Sequence, residues 1–155
     1  MTARHCWTSW SAVLLPDANV LVYAFRKDVA DHQYYRTWLD STINGDSSFA
    51  CSDLVLGAFV RIVTHPRIFR EPSQLTEALN FACALREQPI CRPVFPGAQH
   101  WSIFTRLCRQ ADAKGNRVQD AFFAALAIES GCEWVTADRG FARFPGLRWR
   151  HPLSN

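Results

Sequence analysis

Short runs of branched apolar residues alternate with longer stretches of helical spacing along most of this chain, and that alternation restricts its fold more than any other feature. Ala12–Pro16 (AVLLP) reads as a buried strand, stopped by the turn-forming Pro16-Asp17-Ala18-Asn19, with a short helix over Val20–Phe25. From about Ala30 to Ile43, His32, Tyr35, Leu39 and Ile43 recur at helical spacing, and Gly45 ends the helix. Phe49–Cys51 reads as a second strand, and Ser52 as the N-cap of the apolar helix DLVLGAFVRIVT that ends before Pro66.

The same alternation continues to the C-terminus. Ser73 is expected to cap a helix through Leu75, Leu79, Phe81, Ala82 and Leu85, followed by a strand over Ile90–Val94 and a break at Pro96-Gly97. A helix from about Ala98 sets Trp101, Phe104, Leu107, Cys108 and Ala111 on one stripe. Asn116 then looks like the cap of a helix from Arg117 to Ser130, with Gln119 completing a capping box. Because VQDAFFAALAI is apolar nearly all round, that helix should be central, and Gly131 should close it. Glu133–Thr136 reads as the next strand and Leu147–Trp149 as the last. Strands separated by helices imply right-handed crossovers and a mostly parallel sheet covered on both faces, a three-layer α/β/α architecture.

A chain of 155 residues that is 48% hydrophobic has material for one sizeable core. We therefore expect a single domain over residues 13–151, preceded by a tail of uncertain order at 1–12. A formal net charge of +3 suits a polyanionic partner without amounting to a basic nucleic-acid-binding arm. Six cysteines are scattered with no C-x-x-C pair, which points to buried, reduced thiols and a reducing compartment, the cytoplasm. No apolar stretch approaches the length of a membrane span, and the first apolar run meets Asp17 too early for a signal-peptide core.

Asp17 follows the first strand, Asp53 the second and Asp138 the strand EWVT, while Asp120 lies in the first turns of the central helix. In open α/β folds the carboxyl ends of the strands and the N-termini of the helices share the edge where ligands bind, so these four acids are expected to converge. Crowded carboxylates repel one another, and an all-oxygen set is best balanced by magnesium or manganese. Such ions activate water and stabilise the attacking and leaving oxygens of a phosphodiester, so metal-assisted phosphodiester hydrolysis is the inferred reaction. Plainer roles are open to each acid: a turn for Asp17, a dipole-stabilised helix start for Asp53, an N-cap for Asp138. Asp120 is harder to explain that way, because it sits beside a strongly apolar surface.

The segments LLPDANVLVYA, SDLVLGAFVRIVTHPRIF and RVQDAFFAALAIESGCEWVTADRGFARFPGLRW resemble the PIN-domain VapC toxins over about Leu14 to Trp149. The most specific part is D-A-x-x-A-A-L-A followed by V-T-A-D-x-x-F-A-R-F-P-G-L. The resemblance implies a PIN-like fold and a magnesium-dependent endoribonuclease that cleaves RNA such as tRNA or rRNA. It also implies a type II toxin restrained by a VapB-like antitoxin, and a homodimer. By the same resemblance Asp17, Asp120 and Asp138 are the catalytic, metal-holding acids, and Thr136 lines the site.

Two positions depart from the pattern. A glutamate is usual three residues before a helix arginine like Arg61, where this chain has Ala58. Asp53 is the nearest substitute, although on a helix of 3.6 residues per turn the two positions lie roughly 140° apart. Gly140 stands where many relatives carry another aspartate in T-x-D-x-D-F, so fewer carboxylates imply weaker metal binding or one ion in place of two. Arg61, Arg67, Arg117 and Arg139 lie near the motifs and suit phosphate contacts, with solvated charge or an ion pair as the plainer role. Trp10, Trp101 and Trp149 could stack on unpaired bases, with core packing as the plainer role.

Two other readings compete. A phosphatase working through an aspartyl-phosphate needs a second acid two residues after Asp17, where the chain has Asn19. A degenerate PIN module that binds RNA or a partner protein without cutting is consistent with Ala58 and Gly140.

Overall fold

Five short strands form one parallel sheet in the order β3-β2-β1-β4-β5, with β1 at its centre. They are β1 (Leu14–Pro16), β2 (Phe49–Cys51), β3 (Cys91–Pro93), β4 (Glu133–Val135) and β5 (Trp149–Arg150). This computed structural model describes residues 12–46 and 48–154, so most of the expected N-terminal tail lies outside the described residues.

Six helices connect the strands: α1 (Ala18–Phe25), α2 (His32–Ile43), α3 (Asp53–Val63), α4 (Leu75–Arg86), α5 (His100–Gln110) and α6 (Asn116–Ser130). α1 packs on α2 and α3, α3 packs on α4, and α5 packs on α6. The chain moves outward from β1 to β2 to β3 and then returns to β4. Right-handed crossovers therefore place α1–α4 on one face of the sheet and α5–α6 on the other. The three-layer α/β/α architecture read from the alternation is the one observed, with every strand pair parallel.

The sheet's centre is sealed by Leu15, Phe49, Trp134 and Val135, all essentially without exposure. α6 lies close because its inner surface is mostly alanine: Ala121, Ala124, Ala125 and Ala127 are buried together with Phe123 and Leu126. Small side chains let a helix backbone approach, while Phe123 and Phe141 pack on the Trp134 ring at 5.8 and 5.5 Å. Each fully buried large apolar side chain contributes about 1.5–3 kcal/mol relative to exposure.

Several local expectations are corrected. Ser73 does not cap α4; its hydroxyl accepts from the Arg26 guanidinium at 2.9 Å, and Gln74 takes the cap position without a side-chain bond. Asn116 is the first residue of α6, not its cap, because Gly115 turns the chain at a φ of 56° that favours glycine. Trp101 is 68% exposed, its ring leaning on Phe104 and not on the core. Of the five described cysteines, all free, only Cys51 and Cys132 are buried, while Cys83 is exposed. Ser52 and Gly131 do close their helix ends as read, the first by accepting from Leu54 N–H and the second in the left-handed conformation. Among the described residues no helix is long and apolar enough to cross a membrane.

Candidate active site at the carboxyl edge of the sheet

The ladder between β1 and β4 continues one residue past the strands: Asp17 N–H donates to the Val135 carbonyl at 2.8 Å. This fixes the backbone of Asp17 beside Thr136, the first residue after β4. Asp17 is the N-cap of α1 and accepts from Ala18 N–H. Its other oxygen accepts from the Thr136 hydroxyl at 2.8 Å. Thr136 is fully buried, and its hydroxyl oxygen in turn accepts from Asp138 N–H at 3.1 Å.

Asp138 caps a single 3₁₀ turn, Arg139–Arg143, by accepting from Gly140 N–H at 2.8 Å. Its second oxygen accepts from Arg117 Nη1 at 3.2 Å, and the same nitrogen donates to Asp120 at 2.9 Å. Asp120 stands in the second turn of α6, with 22% of its side chain exposed. Asp17, Asp120 and Asp138 thus come from β1, α6 and the end of β4 to one edge.

Electrostatics ties the three together. Burial pushes the Asp17 carboxyl up to about 6, opposed by its two hydrogen bonds and reinforced by the charges of Asp120 and Asp138. Burial also raises Asp120, with Arg117 pulling the other way and Asp138 adding to the rise. Burial and neighbouring charge thus both disfavour the ionised forms of Asp17 and Asp120.

Asp53 is not in this group. It begins α3 as expected, but its carboxylate is held by Arg86 of α4, with 2.7 and 3.3 Å contacts, over an apolar groove that includes Leu56, Val60 and Leu79. Ala58 instead lines a separate groove of about 650 Å³ between α3 and the start of α6, together with Leu54, Gly57, Arg61, Asn116 and Gln119. Nothing acidic on α3 takes the place of the missing glutamate in that groove.

Two further residues complete the site: Asn19, which had no role in it from sequence, and Arg117, expected to meet a phosphate or, more plainly, to form an ion pair. Asn19 accepts from Ala137 N–H and donates to the Thr136 hydroxyl, both at 3.3 Å, and so splints the segment after β4 to α1. Its spacing two residues after Asp17 was the available signal. Arg117 is the cation between Asp120 and Asp138, so of its two expected roles the structure shows the ion pair.

A divalent ion can be tested against this donor set. Three carboxylates and a hydroxyl are hard oxygen donors of the kind magnesium and manganese take, and the raised Asp17 carboxyl is one that a cation would ionise. As the side chains stand, no three acidic, cysteine or histidine groups among the described residues converge into a ready metal cage. The chemistry fits, provided that Arg117 yields.

Comparison with known proteins gives a consistent answer. The PIN domain family matches residues 14–147. Ribonuclease VapC43 of Mycobacterium tuberculosis is 45% identical over 141 residues, 91% of this chain and 96% of that protein. Ribonuclease VapC31 of the same species is 40% identical over 140 residues, 90% of this chain and 99% of that protein. Among solved structures, VapBC2 from Rickettsia felis bound to a promoter DNA fragment superposes with a TM-score of 0.67 at 18% identity, covering 90% of this chain and 98% of that one. VapC20 of Mycobacterium tuberculosis, a sarcin-ricin loop cleaving toxin, superposes with a TM-score of 0.62 at 18% identity, covering 87% and 98%.

Proposed function

Because this chain belongs to the PIN-domain family and stands among its VapC ribonucleases, we propose that it is a magnesium-dependent endoribonuclease and the toxin of a VapBC-like pair. The observation that carries the reading is the meeting of Asp17, Asp120 and Asp138 at one sheet edge, where the charges of Asp120 and Asp138 raise the Asp17 carboxyl and that of Asp138 raises Asp120. Asp17, Asp120 and Asp138 would hold the ion, and Asp53, engaged by Arg86, is left out of the set. When bound, a divalent ion supplies an activated water and charge stabilisation for the phosphodiester.

The chain's own residues do the positioning. Thr136 and Ala18 N–H aim the two oxygens of Asp17, and Asn19 keeps Thr136 and Ala137 in place. Asp138 is oriented by Gly140 N–H. Arg61, in the groove beside the first turn of α6, is placed to meet a phosphate of the RNA. The solved VapBC complexes support a VapB-like antitoxin as the partner; the substrate in this reading is an RNA such as tRNA or rRNA, and the setting a homodimer in the cytoplasm.

The test is cleavage of a structured RNA by the purified full chain with magnesium or manganese and with chelator. Metal-dependent cuts that vanish in Asp17→Ala are expected, along with growth arrest on expression without a partner. A second reading, an RNA-binding PIN module that does not cut, is favoured by Ala58 and by Arg117 between two of the acids. Metal-independent RNA binding with intact RNA at every metal concentration would select it and overturn the first.

A further inference from the structure

One guanidinium nitrogen joins carboxylates from two different elements: Arg117 Nη1 lies 2.9 Å from Asp120 on α6 and 3.2 Å from Asp138 at the start of the 3₁₀ turn. It reaches them through space that only a glycine leaves. A Cβ at position 140 would stand 2.6 Å from Arg117 Nη2 and 2.8 Å from its Cζ, and closer still to Nη1. Any larger residue at 140 would move the guanidinium, and Gly140 is the position where the T-x-D-x-D-F pattern has a carboxylate. A cation therefore stands in this chain at the point where that pattern has an anion. Arg117 remains one-third exposed, so its flexible stem has solvent to swing into.

We propose that Arg117 is a positioning residue of this site, a resident counter-cation that holds Asp120 and Asp138 together in the metal-free chain and that a divalent ion must displace from them in order to bind. The inference rests on the metal-dependent reading above. The reasoning is electrostatic: a guanidinium and a divalent ion cannot share the same two carboxylates without strong repulsion at contact distance, so the more tightly Arg117 holds them, the weaker the metal. By reciprocity, loosening Arg117 strengthens metal binding by the same factor by which the metal loosens Arg117.

The experiment is calorimetric titration of Mn²⁺ alone into the full chain, as wild type, Arg117→Gln and Gly140→Ala. Gly140→Ala keeps every charge and asks only the far end of a flexible side chain to move, so it decides the matter if Arg117→Gln fails to fold. On the order of tenfold tighter Mn²⁺ binding is expected in both variants, within the usual range of coupling between competing interactions. Equal or weaker Mn²⁺ affinity in Gly140→Ala, with the wild type binding normally, would overturn this inference and leave the nuclease reading standing. No Mn²⁺ binding by any of the three proteins would overturn both.

Discussion

The Thr136 hydroxyl donates to the Asp17 carboxylate across 2.8 Å, joining the ends of two neighbouring parallel strands at the point where the acids meet. Thr136→Val keeps the shape but removes that donor, along with the acceptor used by Asn19 and by Asp138 N–H. A hydrogen bond to a charged group is worth about 1.5–3 kcal/mol, so RNA cleavage should fall roughly tenfold or more. Thr136→Ser should restore most of it. Equal cleavage rates for wild type and Thr136→Val would show that Asp17 needs no aiming.

Asp120→Asn and Asp138→Asn each remove a charge that the proposed ion needs, without changing side-chain size. Metal ions commonly supply several kcal/mol of transition-state stabilisation, so each variant should cut RNA at least roughly a hundredfold more slowly. Circular dichroism should show an unchanged fold. Retained cleavage in either one would remove that residue from the set.

The alternation of apolar strands with helical spacing made the architecture legible, because a parallel sheet covered on both faces leaves a strong periodic trace. The convergence of Asp17, Asp120 and Asp138 was legible for a related reason: all three lie at strand ends or a helix start on one edge. Side-chain partnerships across the fold were not. Ser73 has the composition of a cap, but Arg26 reaches it from 47 residues away. Asp53 has the position of a site acid, but Arg86 takes it from 33 residues away. Arg117 could bridge its two acids only because Gly140 is small, a coincidence of packing that spacing cannot reveal.

Asp53→Asn tests that separation directly. Both partners of the Asp53–Arg86 pair are about half exposed, so the pair is worth no more than about 1 kcal/mol. Cleavage by Asp53→Asn should match wild type, and urea unfolding should show the small loss. A collapse of metal-dependent cleavage in this variant would return Asp53 to the site.

Glu133 of β4 meets Arg150 of β5 with contacts of 2.6 and 2.9 Å, and the arginine holds the carboxyl below its usual 4.5. A depressed carboxyl stabilises the fold above the unfolded value, and that contribution is lost as pH falls through the folded one. Wild type should therefore exceed Glu133→Gln in stability near neutral pH, by no more than about 1 kcal/mol with the arginine half exposed. The difference should close as the pH drops below 4.5. A gap that stayed constant from pH 7 to pH 3 in urea titrations would assign it to packing and not to charge.

Trp134 fills the middle of the sheet, and its indole N–H, fully buried, has no hydrogen-bond partner among the described residues. Leaving such a donor unpaired costs about 1–3 kcal/mol, while the ring's contacts with Phe123 and Phe141 favour the fold. Trp134→Phe removes the orphan donor along with part of the ring volume, two effects of opposite sign, so unfolding free energy should stay within about 1 kcal/mol of wild type. Trp134→Ala leaves only the cavity and should cost about 3–5 kcal/mol. A loss in Trp134→Phe as large as that in Trp134→Ala would mean that the indole nitrogen does find a partner inside the core.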